Sequence, residues 1–489
     1  MRGLDIHFRL ISKEIGFILT LEALLVFLSA GISAYFKESA AQYIWISGGI
    51  ILVVAILLSW YGYGCKVKNI TKKDSVLTVT LAWLFFSIFG ALPYYISSAI
   101  PSFTNAFFET ISGLTTTGSS ILTDIEAMPK GLLFWRSLTQ WLGGLGMIVF
   151  VLAFLPLVAG GDSSQLFEDE APGIVHDKFR PRVGQIAKRL WLIYLSFTVV
   201  LIVLLNLGPM NTFDACCHAF TTMSTGGYST KNASIAYWDS TYINYVLVIF
   251  MVIGSVNFTL WYFFFKGSMK KLFKDEEFKW FVCIILIATL VIFGELLYKN
   301  QSESFVQSFH ESLFQVITIL SSTGFASVNF MNWGAFFIAI ISLLMLIGGC
   351  GGSTSGGLKV VRFMILCKNT QNEFSKQIHP RAIIPVRLNG HAVPIHIVHR
   401  VLTFAFVYVT VILISLLAFT STGINFEDAW GITLSGIGNI GPGFGEYGPN
   451  GNFAGMTDFA KWYYSFLMIV GRLELFTVLI LFTSGFWKK

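Results

Sequence analysis

The chain has 489 residues, of which 54% are hydrophobic and only 12% charged, with a mean hydropathy of +0.69 and a net charge of +6. A soluble domain carries about 25% charged residues, so a surface that faces water all round is excluded. The positive charge requires no nucleic acid, because membrane orientation accounts for it.

In chain order, Arg2, Arg9 and Lys13 precede an apolar stretch at 14–36 that holds Glu22. No small-residue cleavage site follows, which predicts a retained first helix rather than a signal peptide. Uncharged runs then extend from Ser39 to Cys65, Ser75 to Phe108, Ser137 to Gly161, Leu190 to Phe213 and Ser240 to Phe265. A sixth runs from Val401 to Phe426. Each exceeds the ~20 residues that cross the hydrocarbon core as a helix. Three more spans carry charges: 279–298 (Glu295), 333–367 (Lys359, Arg362) and 459–487 (Arg472, Glu474). The expectation is an all-α polytopic membrane protein with about ten transmembrane helices, in contact with the lipid bilayer. Placing the N-terminus inside makes 1–13, 66–74, 162–189, 266–279, 359–400 and 488–489 cytoplasmic, and these hold 26 of the 33 Lys and Arg. The positive-inside rule requires that bias, so both termini are expected in the cytoplasm. The six cysteines show no disulfide framework or metal spacing.

The outer segments 101–131, 209–240, 304–332 and 425–458 are too apolar for ordinary loops, and they repeat a pattern. A polar residue, Asn105, Asp214, Glu311 or Asp428, stands 13 residues before a glycine, Gly118, Gly227, Gly324 or Gly441. In the second copy Gly226 is the adjacent alternative. Four copies in one topological place are a strong repeat signal, although any single glycine among 45 is an ordinary turn residue. Asn105, Asp214 and Asp428 suit helix N-caps and Glu311 a first turn. A helix of roughly nine residues rises about 13 Å, less than half the bilayer, so each segment must enter from outside and return. Such backbone is tolerated at that depth only where it lines a cavity or is packed in protein. Four return strands around one axis would present carbonyl rings that replace a cation's water shell.

At these residues the chain resembles the Trk/Ktr/HKT superfamily of potassium transporters, of the bacterial TrkH type. The resemblance rests on Thr115-Thr-Thr-Gly118, Ser224-Thr-Gly-Gly227-Tyr, Ser322-Thr-Gly324-Phe, Asn439-Ile-Gly441-Pro-Gly, the run Gly348–Gly357, and Gly471-Arg472. It implies two leading transmembrane helices (1–74) and four helix–pore loop–helix units: 75–161, 186–268, 278–367 with an intramembrane loop at 348–357, and 398–487. The implied filter is Thr116, Thr117, Gly118, Thr225, Gly226, Gly227, Ser322, Thr323, Gly324, Asn439, Ile440 and Gly441. Backbone carbonyls of Thr116, Thr117, Thr225, Gly226, Ser322, Thr323, Asn439 and Ile440 would hold potassium ion. Glycine in all four filters implies potassium over sodium. The resemblance also implies a homodimer in a bacterial inner membrane and cytosolic TrkA-type regulatory subunits, with ATP, ADP or NADH bound on that partner and no organic cofactor on this chain.

Two further features bear on gating. The Gly, Ser and Thr of Gly348–Gly357 cannot sustain a helix, so the third exit helix is expected to break there. Gly351 and Gly356 have a P-loop gap, but Gly357 and Leu358 replace its Lys and Ser/Thr. Gly351, Gly352, Ser353, Thr354, Ser355 and Gly356 are therefore a candidate gate below the filter, set against a plain helix-packing surface. Arg472 is a candidate gate cation that repels permeating ions. The alternative is a structural bridge to Glu109, Glu295 or Glu474, because an intramembrane arginine needs a cavity or a partner.

His391, His396 and His399 are irregularly spaced without accompanying ligands, and are read as a solvated loop. His218 beside Cys217 is read as packing. The mixed-charge segment 161–189 is a solvated loop or a docking site for a cytosolic regulator. A proton- or sodium-coupled potassium symporter is the alternative function. A membrane-embedded enzyme lacks a convergent catalytic cluster.

Overall fold

The computed structural model describes residues 6–65, 71–159, 180–299 and 304–488. It opens with a helical hairpin, α1 (Phe8–Tyr35) and α2 (Ala41–Tyr61), followed by α3 (Lys72–Gly90). Thr71 and Asp74 form a capping box at the start of α3, and Asp74 also accepts from the His7 backbone at 2.8 Å, which ties the N-terminus to it.

Four short buried helices then alternate with longer ones. The short ones are α4 (Phe103–Leu114), α7 (Thr212–Met223), α11 (Phe305–Leu320) and α15 (Phe426–Gly438). Around them lie α5 (Lys130–Ala159), α6 (Arg180–Asn206), α8 (Thr241–Ser255), α9 (Phe258–Phe265) and α10 (Glu276–Tyr298). The remainder are α12 (Ala335–Ile347), α13 (Val360–Ile378), α14 (Ile395–Thr420) and α16 (Asp458–Arg472). Among the described residues six helices are long and apolar enough to cross a bilayer. Two bent pairs, α8 with α9 and α16 with Phe476–Phe482, pass the same test together. The arrangement is two leading helices and four helix–short helix–helix units. Large apolar side chains such as Phe17, Leu24, Trp60, Leu290, Phe406 and Leu413 face outward, while Thr, Ser and Asn of the return strands are buried. A bilayer supplies the apolar exterior that this inverted pattern needs.

Several elements differ from the expectation. The run Ser75 to Phe108 holds one span, Lys72–Ile96, made of α3 and the short helix Leu92–Ile96, and its last residues from Phe103 belong to α4. The next helix begins at Lys130 rather than Ser137, with Arg136 inside it. The Glu38 carboxylate accepts from the backbone N–H of Lys130 and Gly131 (2.6 and 3.1 Å) and so caps that earlier start. Arg136 is tolerated because it is paired with Glu109 at 2.6 Å.

The third exit helix breaks after Ile347, as its composition predicts. The second and fourth break as well, by 103° between α8 and α9 and by 114° after Arg472. At the end of α8 the backbone N–H groups of Cys350 and Thr354 bond Ser255 O and Gly254 O. Those carbonyls are satisfied without a further turn, and the Asn257 side chain caps α9 through Thr259 N. A hairpin also escaped the sequence reading: β1 (Arg387–Leu388) pairs antiparallel with β2 (His391–Ala392). Its turn is Asn389-Gly390, both with positive φ, and that dipeptide is the strongest short-range hairpin signal.

Candidate ion pathway

The short helices begin differently from the expectation. Their N-caps are Ser102, Asn211, Ser304 and Asn425, and the last three accept from the N–H three residues on. Asn105, Asp214 and Asp428 are each the third helical residue, whereas Glu311 is the seventh. The third helix is longer, at 16 residues against 12, 12 and 13. One extra N-terminal turn therefore lets Glu311 keep its spacing to Gly324 without capping anything. In the second and fourth copies Asn and Asp cap together: Asn211 Nδ2 donates to Asp214 at 2.8 Å and Asn425 Nδ2 to Asp428 at 2.9 Å.

The return strands share one backbone path. The N–H groups of Thr117, Gly226, Thr323 and Ile440 bond the carbonyls of Ser112, Thr221, Thr318 and Ser435 at 2.8–3.0 Å. This six-to-one bond closes each helix, with the preceding residue left-handed. That residue is glycine in most proteins; here it is Thr116 (φ 53°), Thr225 (55°), Ser322 (55°) and Asn439 (51°). Two residues on, Gly118, Gly227, Gly324 and Gly441 are left-handed again, at 87°, 76°, 77° and 105°. Alternating handedness turns successive carbonyls toward one side, where an extended strand would alternate them. Each left-handed residue with a Cβ costs roughly 1–2 kcal/mol. Strain repeated at one register in four segments marks a functional constraint rather than an accident.

The glycines reveal how the strands meet. A Cβ on Gly118 would lie 2.2 Å from Gly226 O, and one on Gly227 1.8 Å from Thr323 O. On Gly324 it would lie 1.8 Å from Ile440 O, and on Gly441 2.8 Å from Thr117 O. Each strand abuts the next and the fourth returns to the first, so the four form a closed ring. Gly227, not Gly226, occupies the ring position. The ring contains the carbonyls of Thr117, Gly226, Thr323 and Ile440, and all four glycines line one cleft.

The loop between α12 and α13 lies directly against these strands. Thr354 Oγ1 donates to Met223 O and Gly254 O at 3.1 and 3.0 Å and receives a bond from Thr225 Oγ1 at 3.3 Å. Ser355 Oγ meets Ser322 Oγ at 2.9 Å, and Gly356 N donates to Ser322 Oγ at 2.7 Å. A Cβ on Gly356 would collide with Gly438 O. The candidate gate thus divides in two. Ser353, Thr354, Ser355 and Gly356 are buried beneath three return strands. Gly351 and Gly352 lie to one side, where Gly351 N donates to Glu277 Oε1 at 2.6 Å and Gly352 abuts Asn257.

Arg472 closes the arrangement. It is 1% exposed at the C-terminal end of α16 and donates to Thr354 O at 2.6 Å and Gly143 O at 3.1 Å. Gly143 packs on Leu114 O below the first strand, so the guanidinium straps the loop to the first unit. The three carboxylates considered for it are engaged elsewhere: Glu109 with Arg136, Glu295 with Lys299, and Glu474 with Arg362. The structural bridge to any of them is corrected. Nearby, Lys359 donates to Ser355 O, so consecutive loop carbonyls each meet a buried cation.

The other candidates stay apart. His218 is sandwiched by hydrogen bonds, Nδ1 to Asp214 O at 2.7 Å and Nε2 to Ser229 Oγ at 3.0 Å. His391, His396 and His399 are exposed. Among the described residues no group of three His, Cys, Asp or Glu is placed to hold a metal. All six cysteines are free. Most of segment 161–189 lies outside the described residues. Sequence reasoning missed the supporting shell: the Glu109–Arg136 pair, with Arg136 stacked 3.4 Å over Tyr228, and Gln140 on α5 against the second strand. An Arg and a Gln one turn apart in an apolar run were the available signal.

Comparison with known proteins gives concordant results. The TrkH family model, described as a cation transport protein, matches residues 44–489. The Trk system potassium uptake protein TrkH of Salmonella typhimurium is 35% identical over 486 residues, 99% of this chain and 100% of that protein. The Trk system potassium uptake protein TrkG of Escherichia coli is 31% identical over 486 residues, covering 99% of each. The crystal structure of the potassium transporter TrkH from Vibrio parahaemolyticus superposes with a TM-score of 0.89 at 33% identity, over 99% of this chain and 100% of that one.

Proposed function

We infer the function from one premise: the chain belongs to the TrkH family of cation transport proteins. It is a potassium transporter of the membrane, not a representative of an enzyme family. We propose that it is the gated, channel-like pore subunit of a potassium uptake system. The closed ring of four left-handed glycines against four carbonyls carries this reading. In it, backbone oxygens of Thr116, Thr117, Thr225, Gly226, Ser322, Thr323, Asn439 and Ile440 replace the hydration shell of potassium. The C-terminal ends of the four short helices turn their negative dipole ends toward the same path.

Below the filter, Ser353–Gly356 and Arg472 form the gate. The loop fills the path under three strands, and the guanidinium adds a fixed positive charge there. The protein works as a homodimer in a bacterial inner membrane with both termini cytoplasmic. A cytosolic nucleotide-binding subunit of the TrkA type releases the gate. The test is rubidium and sodium flux into liposomes holding the purified chain alone. Slow, potassium-selective passive flux is expected, and flux that needs a proton or sodium gradient would refute the channel-like reading.

A further inference from the structure

Gln140 is fully buried on α5, and its amide reaches across to the second return strand. Nε2 donates to Gly226 O at 2.6 Å, and Tyr228 N donates to Oε1 at 3.1 Å. The amide orientation follows from these partners, since a carbonyl only accepts and a backbone N–H only donates. One side chain therefore brackets Gly227 from both sides.

The second glycine makes room for it. A Cβ on Gly226 would lie 2.4 Å from the Gln140 amide carbon. Gly226 lacks the left-handed φ of its neighbour Gly227, so clearance for the amide is the physical reason for two glycines in this strand. Thr117, Thr323 and Ile440 stand at the equivalent place in the other strands. Among the described residues no side chain donates to their carbonyls.

We propose that Gln140 is a specificity-determining residue of the ion pathway, acting through the Gly226 carbonyl. This rests on the reading that the four-strand ring selects the ion. The amide occupies one lone pair of Gly226 O and fixes its direction. That oxygen cannot swing inward to follow a smaller cation, and it presents a weaker field than its three counterparts. Both the number and the field strength of coordinating carbonyls bear on selection between potassium and sodium.

Gln140→Leu keeps the volume and removes both hydrogen bonds. Gln140→Glu keeps an acceptor for Tyr228 N but, when ionised, offers no donor to Gly226 O. In liposomes, both variants are expected to lower the rubidium-to-sodium flux ratio about tenfold. Gly226→Ala evicts the amide while leaving Gln140 in the chain, so it is expected to reproduce the change even where a position-140 variant fails to fold. Melting temperature is measured on each preparation. A lower melting temperature with an unchanged flux ratio in Gly226→Ala would reduce Gln140 to a packing residue and overturn the proposal. A wild-type chain that did not discriminate the two ions would instead overturn the filter reading itself.

Discussion

Arg472→Ala tests the gate most directly. The side chain makes two charge-assisted bonds to backbone carbonyls, at 2.6 Å to Thr354 and 3.1 Å to Gly143. A hydrogen bond to a charged group is worth about 1.5–3 kcal/mol, so losing both removes roughly 3 kcal/mol from loop closure. At 1.4 kcal/mol per decade, the open population and the flux should rise about a hundredfold. Removing the charge acts in the same direction. A unit charge ~4 Å from a permeating cation costs about 4 kcal/mol at an effective dielectric of 20. Arg472→Lys keeps the charge but cannot span both carbonyls, so its flux should fall between alanine and wild type. Because no carboxylate among the described residues pairs with Arg472, alanine strands no buried anion, and the melting temperature should fall only by what the two carbonyl bonds contribute. The assay is rubidium flux and thermal unfolding on the same liposome preparation, without a partner. Lower flux accompanied by a lower melting temperature would refute the gate and make Arg472 a structural strap.

Gly118→Ser sets a Cβ where Gly226 O already lies, on a left-handed backbone, and should relax potassium-over-sodium discrimination in rubidium and sodium uptake by potassium-uptake-deficient cells. Deleting Ser353–Gly356 should raise flux without changing the order of ion preference, because the ring lies above it; the order is read from competition uptake. Glu109→Ala leaves Arg136 buried and unpaired, which costs about 3–5 kcal/mol. Its melting temperature should drop sharply, and Arg136→Met in the same chain should recover part of the loss. Flux should respond to ATP, ADP or NADH only when the regulatory partner is added to the liposomes.

The sequence was most legible where membrane physics dominates. A bilayer forces long apolar runs, and the spans through α1, α2, α6, α10 and α14 were visible as such. The ring glycines were visible because their spacing to one polar residue recurs. The reason for that spacing was not. Asp214 and Asp428 act as third residues behind Asn211 and Asn425, and a capping pair looks the same as a lone cap in one sequence. The breaks after Ser255 and Arg472 were hidden because they are tertiary. The carbonyls at the end of α8 are satisfied by Cys350 and Thr354, nearly a hundred residues later. Likewise, no local pattern could reveal that Arg136 finds Glu109 or that Arg472 finds only carbonyls.

The four units are unequal in a way that separates what the ring requires from what surrounds it. All four keep a six-to-one bond, a left-handed polar residue and a left-handed glycine, because those set the backbone path with which each strand abuts the next. Outside that register the units diverge, apart from the capping pair that the second and fourth share. The second unit adds Gly226 to admit Gln140, and the third adds a helical turn before its strand and a loop after it. The fourth places Asn439, whose amide donates to Thr117 Oγ1 and Met468 O at 3.0 Å and so ties the last strand to the first. A homotetrameric ring could not hold one loop beneath three strands and one arginine that ties it to the first unit. Fusing the four units in a single chain permits that asymmetry.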